Sequence, residues 1–390
     1  MRILMLAIHF PVEIDNIQGG VHSAISNLLK GFASYDIRVR LVTFNNEVQK
    51  EKVVALTENI DIVYCPEGPY PFHSMNYLLK CGSQVKKQIK KYKPDLIHYE
   101  AGDTFFFTKL FGLNKIKHLQ TVHGIAMAEG KVNKNFKSKM TSYFNGMMEK
   151  LLFPKNIIHL SQYSKRTYED KKLDNYAIIP NAVTEKYFAL PVKEKTSNRL
   201  LYVGGIDRNK NIPFLLQGLN EMVKRNKSYQ LHVLGGFKDP EFKKEIEIYV
   251  EENKLFQYIT FHGWVPQSKV ISIVAASDIL VVSSKQESLP MVIAECMAAG
   301  KLVLASTVGG IPEMVIDGES GYLTDIKNLD SLVSRLDELY NNTDKVRAMS
   351  IKAKALANEN YHCENVAKKT IAFYNTVVGN KHESNIVNKV

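Results

Sequence analysis

The sequence predicts an α/β protein of two doubly wound domains, and three observations carry that reading. Short β-branched runs alternate with amphipathic stretches of helical period along almost the whole chain, the pattern of parallel strands covered by helices. The strand series breaks at Leu190–Asn198, a polar stretch containing a proline, and then starts afresh. At 390 residues the chain has the length of two or three domains. The division that follows is residues 1–190, residues 191–363, and a C-terminal helix with tail over 364–390 that either closes the second domain or crosses back to the first.

In the first domain the strands fall at Arg2–Ile8, Ile37–Phe44, Asp61–Cys65, Leu96–Tyr99, His118–Val122, Ile157–Leu160 and Ala177–Ile179, each an apolar run too short for a helix. Between the first two, Val21, Ile25, Leu28 and Phe32 share one face of a helix that opens at Gly19-Gly20. The second series runs Arg199–Val203, Gln230–Leu234, Ile259–His262, Ile279–Ser283, Leu302–Ala305 and Gly321–Leu323. From Asp330 onward the period is helical only.

A composition of 45% hydrophobic and 23% charged residues excludes a disordered chain. The apolar run Ile3–Ile8 meets Pro11, Glu13 and Asp15 too soon for a signal peptide, and no run approaches the ~18 residues of a membrane span. A cytoplasmic location is expected, with peripheral contact at the inner face of the plasma membrane open. Cys65, Cys81, Cys296 and Cys363 are scattered, which argues for reduced thiols and against a disulfide framework or a structural zinc site.

The net charge of +11 is unevenly placed: residues 1–190 hold 26 Lys and Arg against 17 Asp and Glu, and residues 191–390 hold 25 against 23. Two basic stretches stand out in the first half. One is Lys86–Lys93 (KKQIKKYK); the other sets Phe136, Met140, Tyr143, Met147 and Leu151 at helical spacing, with Lys134, Lys137, Lys139 and Lys150 on or near the opposite face. Such helices either lie on anionic membranes or are ordinary domain helices with a solvated lysine face. Nucleic acid is the weaker partner, because zinc-finger spacing and an aromatic RNA-binding block are both missing.

In open α/β sheets ligands bind beyond the carboxyl ends of the strands. After the first strand, Gly19 and Gly20 open a helix where backbone N–H groups can approach an anion; a tight turn is the alternative. No G-x-G-x-x-G follows that strand, which argues against a dinucleotide enzyme. The most informative stretch is Ser283–Gly300, SSKQESLPMVIAECMAAG. Pro290 suits a first helical turn, so Glu287 precedes the helix and Glu295 lies inside it, on the order of 7 Å further along. Amides near Ser288 and Leu289 suit a phosphate, and Glu295 suits a ribose diol, since a carboxylate accepts two O–H bonds at once. Glu287 also reads as a helix-start carboxylate and Glu295 as a solvated one, but Val292, Ile293, Cys296 and Met297 make an apolar neighbourhood for a surface glutamate.

Glu287 and Glu295 form an E-x7-E pair, and other blocks accompany it in order: Gly19-Gly20, Thr121-Val122-His123-Gly124, Ile179-Pro180-Asn181-Ala182-Val183, Tyr202-Val203-Gly204, Lys210-Asn211, Phe261-His262-Gly263, and Val308-Gly309-Gly310-Ile311-Pro312-Glu313 followed by Asp317-Gly318 and Gly321. Together they resemble glycosyltransferase family 4 (group 1), the retaining nucleotide-sugar glycosyltransferases of the GT-B fold, over Met1 to about Leu323. The resemblance implies two Rossmann-like domains facing each other across a cleft. It implies a metal-independent, retaining transfer of a sugar from a nucleotide diphosphate sugar, a UDP-sugar foremost, to an acceptor hydroxyl in bacterial cell-surface polysaccharide or glycolipid assembly. The donor is then a substrate, with no further cofactor and no metal, and a glycan or lipid-linked acceptor meets the first domain. Two alternatives are a sugar-nucleotide epimerase or phosphorylase of the same fold, and a non-catalytic donor-binding subunit of a heteromeric transferase.

Carried over residue by residue, the resemblance assigns Glu287, His123 and Lys210 to catalysis: Glu287 near the 3-hydroxyl of the transferred sugar, His123 on that sugar from the first domain, Lys210 on the diphosphate. Donor contacts fall to Gly19 and Gly20, to Gly263, Trp264 and Val265 facing the base, to Ser288 and Leu289 on the diphosphate, and to Glu295 on the ribose. His123 ends an apolar strand and precedes a glycine, whereas His98, His118, His159 and His232 read as packed or satisfied; Asn181 reads as a hinge. One departure matters. The family pairs its lysine with an arginine five residues earlier, and Gly205 stands there; Arg208 is the candidate to supply that charge, although a bidentate guanidinium is not easily replaced.

Overall fold

The computed structural model describes residues 1–13, 19–67, 73–100, 116–124, 154–192 and 198–379. The basic stretch around Phe136–Leu151 lies outside the described residues. The chain forms two compact units: the described residues of 1–182 together with 363–379, and Val183–His362.

The first unit is built on eight strands, β1 (Arg2–Ile8), β2 (Arg38–Asn45), β3 (Lys52–Ala55), β4 (Ile60–Pro66), β5 (Leu96–Tyr99), β6 (Lys117–Val122), β7 (Asn156–His159) and β8 (Asn175–Ile178), in the order β3-β4-β2-β1-β5-β6-β7-β8. Every pairing is parallel except β3 with β4. β3 escapes sequence reading because its four residues, Lys-Val-Val-Ala, form a largely exposed antiparallel edge with no long apolar run. The central strands are buried on both faces, as parallel sheets require. Ile3 and Met5 of β1 enter one core with helix α1 (Gly20–Phe32), while Leu4 and Leu6 enter the other with Val85 of helix α2 (His73–Tyr92).

The second unit carries six parallel strands, β9 (Arg199–Val203), β10 (Gln230–Leu234), β11 (Ile259–Gly263), β12 (Ile279–Val282), β13 (Leu302–Ser306) and β14 (Gly321–Thr324), in the order β11-β10-β9-β12-β13-β14. Short helices α3 (Gln162–Thr167) and α4 (Glu185–Phe188) precede this sheet in sequence, α4 within the second unit, and α5 (Ile212–Lys224), α6 (Pro240–Glu252), α7 (Gln267–Ala276), α8 (Met291–Ala298), α9 (Leu329–Leu339) and α10 (Thr343–Tyr361) follow along the chain. Among the parallel strands of each sheet the order reverses once, between β1 and β5 and between β9 and β12. Such a reversal opens a crevice beyond the strand ends, where ligands bind in this class.

The passage between units falls at Ala182/Val183, eight residues ahead of Leu190. Ala182 accepts a hydrogen bond from Asn27 Nδ2 (2.9 Å) in the first unit. Val183 donates its N–H to Tyr361 O (2.8 Å) and bridges to His362, and Tyr187 and Phe188 lie in the second unit's core. The chain re-enters the first unit at Cys363 as helix α11 (Cys363–Val378), whose Phe373 and Tyr374 fill the core beside Phe32. Ser34 Oγ donates to Glu364 Oε1 (2.8 Å) and Tyr35 Oη to Glu364 O (3.1 Å), tying α1 to the start of α11. Gly31 faces this junction so closely that a Cβ there would run into the Cys363 carbonyl. Because the obstacle is backbone, Gly31→Ala is expected to cost about 1–3 kcal/mol, as overpacking does, and to lower the unfolding midpoint in a denaturant titration. An unchanged midpoint would show that α11 is free to shift.

Candidate functional site

At the switch point of the second sheet, the loop after β9 is laced to the loop after β12. Asp207 Oδ1 accepts the amides of Asn209 and Lys210 (3.0 Å each), and Asn211 turns through the left-handed region (φ 53°) to start α5. Across the crevice, Lys285 N donates to Asn209 O (2.8 Å), Asn209 Nδ2 to Gln286 O (3.0 Å), and Ser283 Oγ reaches the Lys210 carbonyl (3.0 Å). These bonds bring Lys210 Nζ to 2.5 Å from Glu287 Oε1, both side chains partly enclosed. The Glu287 backbone is gripped by the loop after β13: Gly310 N donates to Glu287 O (3.2 Å), and a Cβ on Gly309 (φ 57°) would collide with that carbonyl.

Ser288 and Leu289 lead into α8 by way of Pro290, which sits at the N-cap and offers no side-chain bond. The amides of the first turn therefore lack a side-chain partner, and the helix dipole points its positive end at the same crevice. Glu295 lies on α8, half-buried, and burial pushes its carboxyl from the ordinary 4.5 up to about 7. Among the described residues no ion pair to Glu295 is formed. At the edge of the sheet, Gly263 (φ 64°) turns the chain after β11; Val265 packs into the core, and Trp264 is 62% exposed with its indole lying on Gly236.

Arg208 does not join Lys210. Its guanidinium donates to both Glu245 oxygens (3.0 and 2.6 Å), lies 3.5 Å from Asp239 and stacks over Phe242, all on or capping α6. A bidentate pair with an adjacent aromatic is the preferred guanidinium setting, so Arg208 serves the loop's anchorage to α6. Over Gly205 lies Lys238 instead: a Cβ at 205 would sit 2.7 Å from Lys238 Cε, and Lys238 Nζ is 3.1 Å from Asp207 Oδ2.

In the first unit, Gly19 (φ 92°) caps α1 without a side-chain bond, and Gly20 begins the helix exposed. His123 follows β6, and its Nε2 lies 2.7 Å from Glu100 Oε2. Glu100 follows β5, at the switch point, and is 2% exposed. Sequence reading missed it; the available signal was an acidic residue directly at the carboxyl end of a strand. His98 is packed and satisfied as expected, with Nδ1 2.6 Å from Tyr374 Oη and Nε2 2.7 Å from Thr121 Oγ1. Burial holds its pKa below the ordinary value despite the field of Glu100. Burial alone would raise Glu100, but His98 and the hydrogen bond and charge of His123 outweigh it and hold the carboxyl below its usual range.

On α2, Lys86, Lys87, Lys90 and Lys91 are exposed, and Lys87 pairs with Glu51 (2.8 Å). Among the described residues no helix is long and apolar enough to cross a membrane, and no group of three His, Cys, Asp or Glu is placed to hold a metal ion.

Two family profiles tile the chain. Glycosyltransferase Family 4 matches residues 18–186, and Glycosyl transferases group 1 matches residues 183–356. An uncharacterized glycosyltransferase of Methanocaldococcus jannaschii is 26% identical over 361 residues, covering 92% of this chain and 94% of that protein. Among solved structures, the sucrose-phosphate synthase of Thermosynechococcus elongatus superposes with a TM-score of 0.81 at 21% identity, covering 97% of this chain and all of that one. HepE of Anabaena, solved with UDP and glucose, gives 0.73 at 17% identity, covering 96% and 99%.

The raised pKa of Glu295 fixes the sign of a pH effect. A carboxyl that is harder to ionise in the folded than in the unfolded chain withdraws stability as pH rises from about 4.5 through about 7. Glu295→Gln removes that dependence. Relative to wild type, the variant should gain about 2 kcal/mol in stability between pH 5 and pH 8, read from urea titrations at the two pH values. A gap that does not change with pH would mean that Glu295 ionises normally.

Proposed function

The chain belongs to the family 4, group 1 glycosyltransferases and is a glycosyltransferase of the GT-B fold, and from that premise we propose that it performs a retaining, metal-independent transfer from a UDP-sugar to an acceptor hydroxyl in cell-surface polysaccharide or glycolipid assembly. The observation that carries this reading is the Lys210–Glu287 pair beside the N-terminus of α8, with Glu295 further along the same helix. A diphosphate held by the first amides of α8 has Lys210 to neutralise the charge that grows as it departs, a preorganised electrostatic role that needs no bound cation. Glu295, once ionised, takes both ribose hydroxyls, and Glu287, fixed by Lys210 and by the Gly309-Gly310 loop, meets a hydroxyl of the transferred sugar. Trp264 and the backbone at Gly263 and Val265 suit the base. HepE, solved with UDP and glucose, supports a uridine donor.

The reaction breaks the bond between the anomeric carbon and the diphosphate oxygen. The acceptor oxygen bonds to the same face, and its proton passes to a phosphate oxygen of the leaving group. His123 in the first unit, the acceptor side, meets a sugar hydroxyl. Glu295→Ala should weaken UDP binding about tenfold by calorimetry, the value of a hydrogen bond to a charged group, while Glu287→Ala and His123→Ala should lower turnover at least about tenfold with smaller losses of UDP affinity. The anomeric configuration of the product by NMR decides the stereochemistry, and inversion would sink the retaining reading.

The acceptor is proposed to be lipid-linked or anionic, because the exposed lysine face of α2 suits an acidic surface at roughly 1 kcal/mol per lysine. Changing Lys86, Lys87, Lys90 and Lys91 to Glu should abolish co-sedimentation with phosphatidylserine vesicles at low salt. Equal sedimentation of wild type and variant would remove this surface from the account.

A further inference from the structure

Apart from His123, the hydrogen-bonded group around Glu100 has been given no role in the donor site described above, and it lies wholly within the first unit. Glu100 is the first residue after β5, its N–H bonded to Leu6 O (3.0 Å), and His123 is the first after β6. The parallel register of β5 with β6, Tyr99 opposite Gln120, sets both side chains at the same end of the sheet. Among the described residues two atoms there are enclosed yet without a hydrogen-bond partner: Glu100 Oε1 and His123 Nδ1. Both residues line one small cavity of about 20 Å³ together with His98, Thr121, Asn181 and Thr370. A buried polar atom left unpaired costs free energy, so its retention at a strand's carboxyl end calls for a partner that arrives.

We propose that Glu100 is the positioning residue for His123: it accepts the hydrogen bond of Nε2–H, fixes the ring, and thereby presents Nδ1 as an unprotonated acceptor for a substrate hydroxyl. A carboxylate has only acceptors to offer, so a ring nitrogen 2.7 Å away must carry the hydrogen. In the neutral ring the other nitrogen is then bare. The support behind Glu100 points the same way. Tyr374 of α11 stays protonated, since burial and the field of Glu100 push its pKa well up, and where its Oη–H donates to His98 Nδ1 the His98 proton sits on Nε2, the nitrogen that faces Thr121 Oγ1 (2.7 Å) and Glu100 Oε1 (3.5 Å). The groups around the carboxylate are His98 from β5, His123 just after β6 and Tyr374 from α11, and among them His123 makes the hydrogen bond to it. A bare Nδ1 accepts from a hydroxyl and cannot donate to a phosphate oxygen. His123 is assigned to a sugar or acceptor hydroxyl on this ground, and that assignment alone rests on the transfer reading above.

The test uses the full chain labelled with 15N-histidine at pH 8. His123 should show a single Nε2–H tautomer, and Glu100→Gln, which keeps the shape but removes the charge, should give a mixture. A ring protonated on Nδ1, or on both nitrogens, overturns the proposal whatever the enzyme's activity. In UDP-release assays with UDP-glucose and UDP-N-acetylglucosamine, Glu100→Gln should lower kcat about tenfold with KM within about twofold, and should cause no further loss in a His123→Ala background. Independent, multiplying losses would mean that Glu100 acts otherwise than through His123. If wild type turns over neither donor, or His123→Ala is fully active, it is the transfer reading that fails, while the tautomer still decides the role of Glu100.

Discussion

Parallel pairing is the constraint from which the placement of every candidate residue follows. Parallel strands deliver all their carboxyl ends to one edge, and a reversal in strand order separates two adjacent loops there. Lys210 follows β9 and Glu287 follows β12, so residues 77 positions apart come within one hydrogen bond. Glu100 and His123 follow β5 and β6 in the same way. The pairing also explains the composition, because strands covered on both faces must be apolar almost throughout, and the polar residues are pushed to the ends where chemistry occurs.

The two units solve the problem of a buried carboxyl differently. Glu100 is enclosed but bonded by the His123 ring with His98 beside it, and it remains easy to ionise. Glu287 is partly enclosed and meets an ammonium. Among the described residues Glu295 has neither, and its proton is held to about pH 7. The residue type is the same in all three places; the supply of donors sets the behaviour. A donor sugar nucleotide that brings two ribose hydroxyls would supply what Glu295 lacks.

Much of this was legible in the letters. All six strands of the second sheet and seven of the eight in the first follow from apolar runs, and the E-x7-E pair announced Glu287 and Glu295. The parts that were not legible depend on partners far along the chain. Nothing in Arg208 tells that Glu245 will hold it, and nothing in Glu100 tells that β5 and β6 are neighbours in a register that brings His123 to it. The passage at Ala182/Val183 leaves no compositional mark, because both residues are apolar and both are buried, each in its own unit.

The return of α11 to the first unit has a consequence for synthesis on the ribosome. The six strands of the second unit all lie between Val183 and His362, so all of them are available once His362 has emerged. The first-born half has to wait for Phe373 and Tyr374 while some 180 residues are translated, roughly 10–40 s at ordinary elongation rates. During that interval its sheet has an uncovered apolar flank. The half of the protein made first is the half finished last, and a chain stalled anywhere before Cys363 is a client for chaperones rather than a smaller enzyme.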